Sequence, residues 1–251
     1  MFCLMMCFNV TYSQLGDIST DRPDVTESPY LMDKGFFQIE AGIISQHDKP
    51  SADIKTSELA VPLILLRYGL AKNVELRAGI DYISSKVTIN DSSTSSDGLS
   101  PFFLGTKINL FHEKGSVPET ALLLGVTLPF KENSEFQSEY IGMAFRFAMQ
   151  NTLSKRFSLS YNLGGLFGAD SPGATGFYSV SFGAVLVKRL TGFIELYGFL
   201  PEKSSPDHRF DGGFTYLVMK NLQADVSGGL GISEESPDYF LGLGLSWRLP
   251  K

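Results

Sequence analysis

Cysteine is nearly missing from this chain of 251 residues: the two present, Cys3 and Cys7, both fall in the first seven positions. A scaffold stapled by disulfides is thereby excluded. Histidine is scarce too. His47, His112 and His208 are far apart, and each falls in a stretch that reads as a connection. No H-E-x-x-H, C-x-x-C, P-loop or G-x-S-x-G pattern occurs, so neither a metal centre nor a cofactor is expected. Ser204, Ser205 and His208 form the only tempting Ser/His cluster for a rim-site hydrolase, and an enzyme is not the reading it supports. Charged residues make up 19 % of the chain, against roughly 25 % in soluble domains. The formal net charge is −6 with no Lys/Arg run, which argues against a nucleic-acid partner. Long apolar runs are also missing beyond the N-terminus. The longest, "LAVPLILL" (59–66), contains Pro62 and falls far short of the ~20 residues of a spanning helix.

The first residues, "MFCLMMCFNVTYSQ", are apolar and then small and polar. They read as an export signal over residues 1–13, with cleavage before Gln14. A mature chain without cysteine suits an oxidising compartment that does not rely on disulfides.

What the chain has in plenty is period-two alternation. In "EYIGMAFRFAMQ" (139–150), Ile141, Met143, Phe145, Phe147 and Met149 share one side, and small or polar residues share the other. The same pattern recurs in "FFQIEAGII", "VELRAGIDY", "LGTKINL", "LQADVSGGL" and "YFLGLGLSWR". Alternation of this length is the signature of β-strands. Short connections such as "GLAKN" and "MKNL" alternate with longer ones rich in Ser, Asp and Pro, such as 45–57 and 84–100. Counting between them predicts twelve strands of about ten residues. Strands of ~9–11 residues suit a tilted crossing of a bilayer, whereas soluble strands average ~5–6. The expected fold is all-β: a single transmembrane antiparallel up-and-down β-barrel over residues 35–251.

The polarity of the two faces sets the orientation. The bulky apolar face almost excludes charge. The other mixes Gly, Ala and Ser with Glu40, Glu58, Glu75, Arg77, Asp81, Lys107, Arg146, Glu195, Asp225 and Arg248. Lys or Arg facing lipid at mid-bilayer costs roughly 2–4 kcal/mol, so these ten are the candidate lumen-lining residues. Arg67 shares parity with Leu65, which requires a bulge or a strand end near it. Tyr239 and Trp247 lie eight residues apart on the apolar face, as the two aromatic girdles of such a barrel require. Twelve strands tilted ~40° enclose a backbone cylinder roughly 24 Å across. Residues 14–34 precede the first strand. Pro23 and Pro29 bar them from a central strand. Asp21, Arg22, Asp24 and Glu27 could pair with lumen charges as a plug or gate, or the segment could hang free in the periplasm.

This stretch also carries a resemblance. "TDRPDVTESPYLMDKGFFQIEAG" (20–42) is similar to the opening signature of the outer-membrane family described by the meta-pathway of phenol degradation and labelled "transporter". The matching residues are Thr20 to Asp24, Thr26 to Pro29, Gly35, Gln38, Glu40 and Gly42. The resemblance implies an exported barrel with a transport role, and a hydrophobic or aromatic solute. The partners expected are outer-membrane lipid, the barrel-assembly machinery and a small-molecule solute selected by charge and size. A closed structural or adhesive barrel, a soluble ligand-binding barrel and a rim-site enzyme stay open as alternatives.

Overall fold

A computed structural model of the chain describes residues 16–130, 135–168 and 171–249; the expected export signal lies outside the described residues. Thirteen antiparallel strands follow in chain order: β1 (Phe37–Ser51), β2 (Ile54–Ala71), β3 (Val74–Ile89), β4 (Ser92–Leu99), β5 (Phe102–Phe111), β6 (Glu119–Leu128), β7 (Gly142–Thr152), β8 (Phe157–Gly168), β9 (Ser171–Val187), β10 (Leu190–Pro201), β11 (Asp207–Met219), β12 (Leu222–Gly231) and β13 (Tyr239–Arg248). Each pairs with the next in sequence except β4 and β5, which both pair with β3, and β1 also pairs with β13 from Gln38↔Arg248 to His47↔Tyr239. That last ladder closes the sheet. Closure leaves no edge in the wall, the condition for a sheet to stand in hydrocarbon.

The closed ring has twelve strands because β4 and β5 share one neighbour. β4 pairs with the outer half of β3 (Tyr82–Ile89) and β5 with its first half (Val74–Gly79). The chain steps between them at Ser100, whose amide donates to Asp81 O at 2.8 Å. Two expected loops are therefore corrected. Residues 45–57 and 84–100 are mostly strand, drawn out as hairpins beyond the ring. The second hairpin turns on Asn90 and Asp91, both in the left-handed region (φ 46° and 67°), as a tight two-residue turn demands. The Ser/Pro-bearing stretch "ADSPGAT" (169–175) reads as a further connection, yet strand β9 begins within it at Ser171, and β7 begins at Gly142, three residues later than the alternation suggested.

The bulky face points outward. Met143, Phe145 and Phe147 on β7 are exposed, as are Leu241, Leu243, Leu245 and Trp247 on β13. The buried polar side chains include Gln38, Glu40, Arg67, Glu75, Lys107, Asn162 and Glu195. A soluble protein would invert this arrangement.

The bulge required near Arg67 lies earlier, at Val61–Pro62. Gly42 pairs with Leu63 and Ile44 with Ala60, so two β2 residues oppose Ile43 alone. The extra residue moves Leu63, Leu65 and Arg67 onto the inner face while Glu58 also stays on it. At the short-turn end, Glu113 fastens two connections by accepting from Thr152 N (2.6 Å) and Thr152 Oγ1 (2.7 Å). These bonds hold its carboxyl below the usual range.

Candidate functional site

The interior is occupied by the chain's own N-terminal segment. It enters at the short-turn end, where Ile18 N donates to Lys220 O (2.8 Å) and the Arg248 guanidinium donates to Gly16 O (2.7 Å). It then crosses the lumen and turns into β1 through Gly35, whose amide donates to Gly69 O at 2.7 Å. Gly69 is obligatory for that return: a Cβ there would lie 2.2 Å from Asp33 O.

One side of the segment meets a basic cluster on β2, β3 and β5. Lys107 Nζ lies 2.8 Å from both Asp21 carboxylate oxygens, and Arg67 Nη1 and Arg77 Nη2 each lie 3.2 Å from Oδ2. Arg67 is wholly buried and also donates to Glu40 (2.8 Å) and Glu75 (2.8 Å). Arg77 donates to Glu27 at 2.9 Å. Three cations thus face four carboxylates, two from the segment and two from the wall. The wall also grips backbone. Lys107 donates to Ser28 O, Arg67 to Ser19 O and Tyr30 O, and Gln38 to Ser19 O. In return Glu40 accepts from Asp21 N, and Glu75 from Met32 N.

Across the barrel the grip is by single side chains. Glu195 accepts from Val25 N (2.8 Å), Thr26 N (2.7 Å) and Thr26 Oγ1. Asn162 acts as a surrogate strand, accepting from Glu27 N (2.8 Å) and donating to Glu27 O (3.0 Å). Arg146 donates to Val25 O at 2.9 Å and lies over the Phe177 ring at 3.9 Å. Arg22 pairs with Asp225 at 3.1 Å in a niche floored by Gly42 and Gly244. A Cβ on either glycine would come within 2.5 Å of its guanidinium.

The structure thus brings together Glu40, Glu75, Arg77, Lys107, Arg146, Glu195, Asp225 and Arg248 from the wall with Asp21, Arg22 and Glu27 from the segment. Asp24 sits beside Glu195 and Ser181. Asp81 and Glu58 border this network without an ion pair to it among the described residues. Asp81 accepts from Ile64 N at 3.3 Å and lines a cavity of about 390 Å³ with Leu63, Leu65, Phe103, Arg22 and Arg77. Glu58 faces the axis higher on β2, opposite Gln46. Sequence reasoning missed Arg67, concealed by the bulge, and Asn162, a neutral residue on a glycine-rich strand. His208 hydrogen-bonds Tyr178 Oη at 2.9 Å, on the outer face.

A closed ring of twelve strands with hydrocarbon side chains outside and ionised groups within is an outer-membrane β-barrel. The chain belongs to the family described as "Putative MetA-pathway of phenol degradation", whose model matches residues 20–249. The signature at 20–42 is thereby explained: most of its polar residues are the ones that lock the segment to the wall. Among solved structures, an outer membrane channel from Pseudomonas putida F1 is similar over 91 % of this chain and 99 % of that one, with a TM-score of 0.67 and 11 % identity. The translocator domain of autotransporter NalP from Neisseria meningitidis is similar over 86 % and 90 %, with a TM-score of 0.56 and 10 % identity. KdgM porin in complex with disordered oligogalacturonate is similar over 85 % and 99 %, with a TM-score of 0.53 and 13 % identity. At such identities the likeness establishes the barrel fold. No curated protein matches the sequence.

Proposed function

We propose that the protein is a passive channel for a small apolar or aromatic solute, gated by residues 17–34. The observation that carries this reading is how the lumen is filled. A barrel built only as a scaffold could pack its interior with hydrocarbon. Here a polar strap is held across it by ion pairs and hydrogen bonds that water can replace. The cavity of about 390 Å³ beside the strap falls in the range of small-ligand sites. It combines Leu63, Leu65 and Phe103 with charged groups at its border. Further rings, Phe177, Tyr197 and Phe240, are buried on the inner face. The family's description supplies the aromatic class of solute. Liposome swelling with neutral, charged and aromatic solutes tests the proposal. Uptake that favours small aromatic solutes and rises when the strap is loosened supports it. An impermeable barrel with the strap loosened or deleted contradicts it.

A second reading is a closed structural barrel. It is favoured by the engagement of Asp21 with three buried cations at once, a grip tight enough to be permanent. Absence of conductance in folded protein at any voltage would select it.

A further inference from the structure

Above the apolar band, at the end opposite the short turns, the outer surface of β1–β4 changes character within two residues. The cross-strand ladders fix the rows. Leu243, Ile43, Tyr82 and Leu99 lie outermost in one row, followed by Leu241, Ser45, Leu59 and Ser84. The next row is Tyr239, His47, Ser57 and Lys86, and beyond it Lys55 pairs with Thr88. Lys86 is four residues beyond Tyr82, about 10 Å higher along the barrel axis at a tilt near 40°. That is the depth of lipid headgroups when Tyr82 marks the aromatic girdle.

Lys49, Lys55 and Lys86 converge on one cavity of about 310 Å³, which Asp48 and Asp238 also line. All three lysines are exposed, and among the described residues none has an ion-pair partner. The His47 ring is fixed beside them, stacked on Tyr239 at 4.9 Å and bonded to Ser57 Oγ at 2.7 Å. In the lining of this cavity three unpaired ammonium groups stand against two carboxylates, and Asp97, on the outer face one row below Lys86, is bonded to Tyr82 Oη. The corner sits on the membrane side of the wall, directly above exposed Leu59 and Leu241. An anion joined to hydrocarbon matches both surfaces at once.

We propose that this corner binds the phosphorylated headgroup of an outer-leaflet glycolipid. Lys49, Lys55 and Lys86 meet the phosphate, and the acyl chains descend over Leu59 and Leu241. The site rests on the barrel's placement in the outer membrane and is independent of whether the lumen conducts.

Native mass spectrometry of the detergent-solubilised protein, titrated with bis-phosphorylated lipid A, tests it. One lipid A is expected to be retained per barrel. The combined Lys49→Gln, Lys55→Gln and Lys86→Gln variant should lose about tenfold or more in occupancy, given the attraction of each basic residue to an anionic lipid surface. Lys203→Gln, on a different extracellular connection, should retain it. Fully dephosphorylated lipid A should bind the wild type as weakly as lipid A binds the triple variant. Heat-modifiable gel mobility confirms that each variant is folded. Equal retention by the triple variant and the wild type overturns the proposal. Equal retention of the dephosphorylated lipid overturns it too, as does displacement of lipid A by micromolar inorganic phosphate, which would mark a free-anion site.

Discussion

Asp21→Ala is the perturbation that the lumen network makes most informative. Asp21 is the one segment carboxylate shared by Arg67, Arg77 and Lys107, at 2.8–3.2 Å. Removing one member of a buried ion pair costs about 3–5 kcal/mol. The lower end applies here, because Glu27, Glu40 and Glu75 remain to balance the three cations. The wall loses little, since Arg67 keeps Glu40 and Glu75. The cost falls on the contact between strap and wall. About 3 kcal/mol corresponds to a shift of roughly 150-fold toward the displaced strap, at 1.36 kcal/mol per tenfold. Single-channel recording in planar bilayers reads this as a rise in open fraction. A cysteine at Val25 reads it independently as faster labelling by an aqueous maleimide. Asp21→Asn keeps a hydrogen-bonding side chain and should show a smaller shift in the same direction. If Asp21→Ala matches the wild type in both open fraction and labelling, the strap is not held by this network.

Arg67→Met should strand Glu40 and Glu75 without their shared cation and lower barrel stability by about 3–5 kcal/mol, measured by urea unfolding in lipid vesicles. Gly69→Ala forces a Cβ against the Asp33 carbonyl, so the turn into β1 must shift. The expected loss is about 1–3 kcal/mol, with new tryptic cleavage after Lys34. Arg146→Ala removes a cation from the inner face and the bond to Val25 O, and should move the reversal potential in a salt gradient toward cation preference.

Much of the fold was legible because a membrane barrel writes its two faces into alternate residues. Strands β5–β8 and β10–β13 follow the alternation to within a few residues. The hairpin extensions of β1–β4 were not legible. "SSTSSDG" has the composition of a solvated loop, and it pairs only because β3 runs on past the ring to offer it an edge. Arg67 was hidden for a different reason. A single bulge at Val61–Pro62 breaks the period, and parity cannot be carried across it without the partner strand. The strap's charges were visible in "TDRPDVTE". Their partners were not, since Asp21 is 86 residues from Lys107 and Arg22 is 203 from Asp225. Asn162 gave no signal, because a lone amide among glycines does not reveal that it will stand in for a strand.

The most direct measurement of the inside-out orientation uses the scarcity of tryptophan. Trp247 is the only one in the chain. In a Trp247→Phe background, Leu243→Trp places the sole fluorophore on the outer face of β13. Reconstituted in vesicles of brominated phosphatidylcholine, it should be strongly quenched by the acyl chains and nearly untouched by aqueous acrylamide. Quenching by acrylamide with indifference to brominated lipid would place this face in water and contradict the barrel as described.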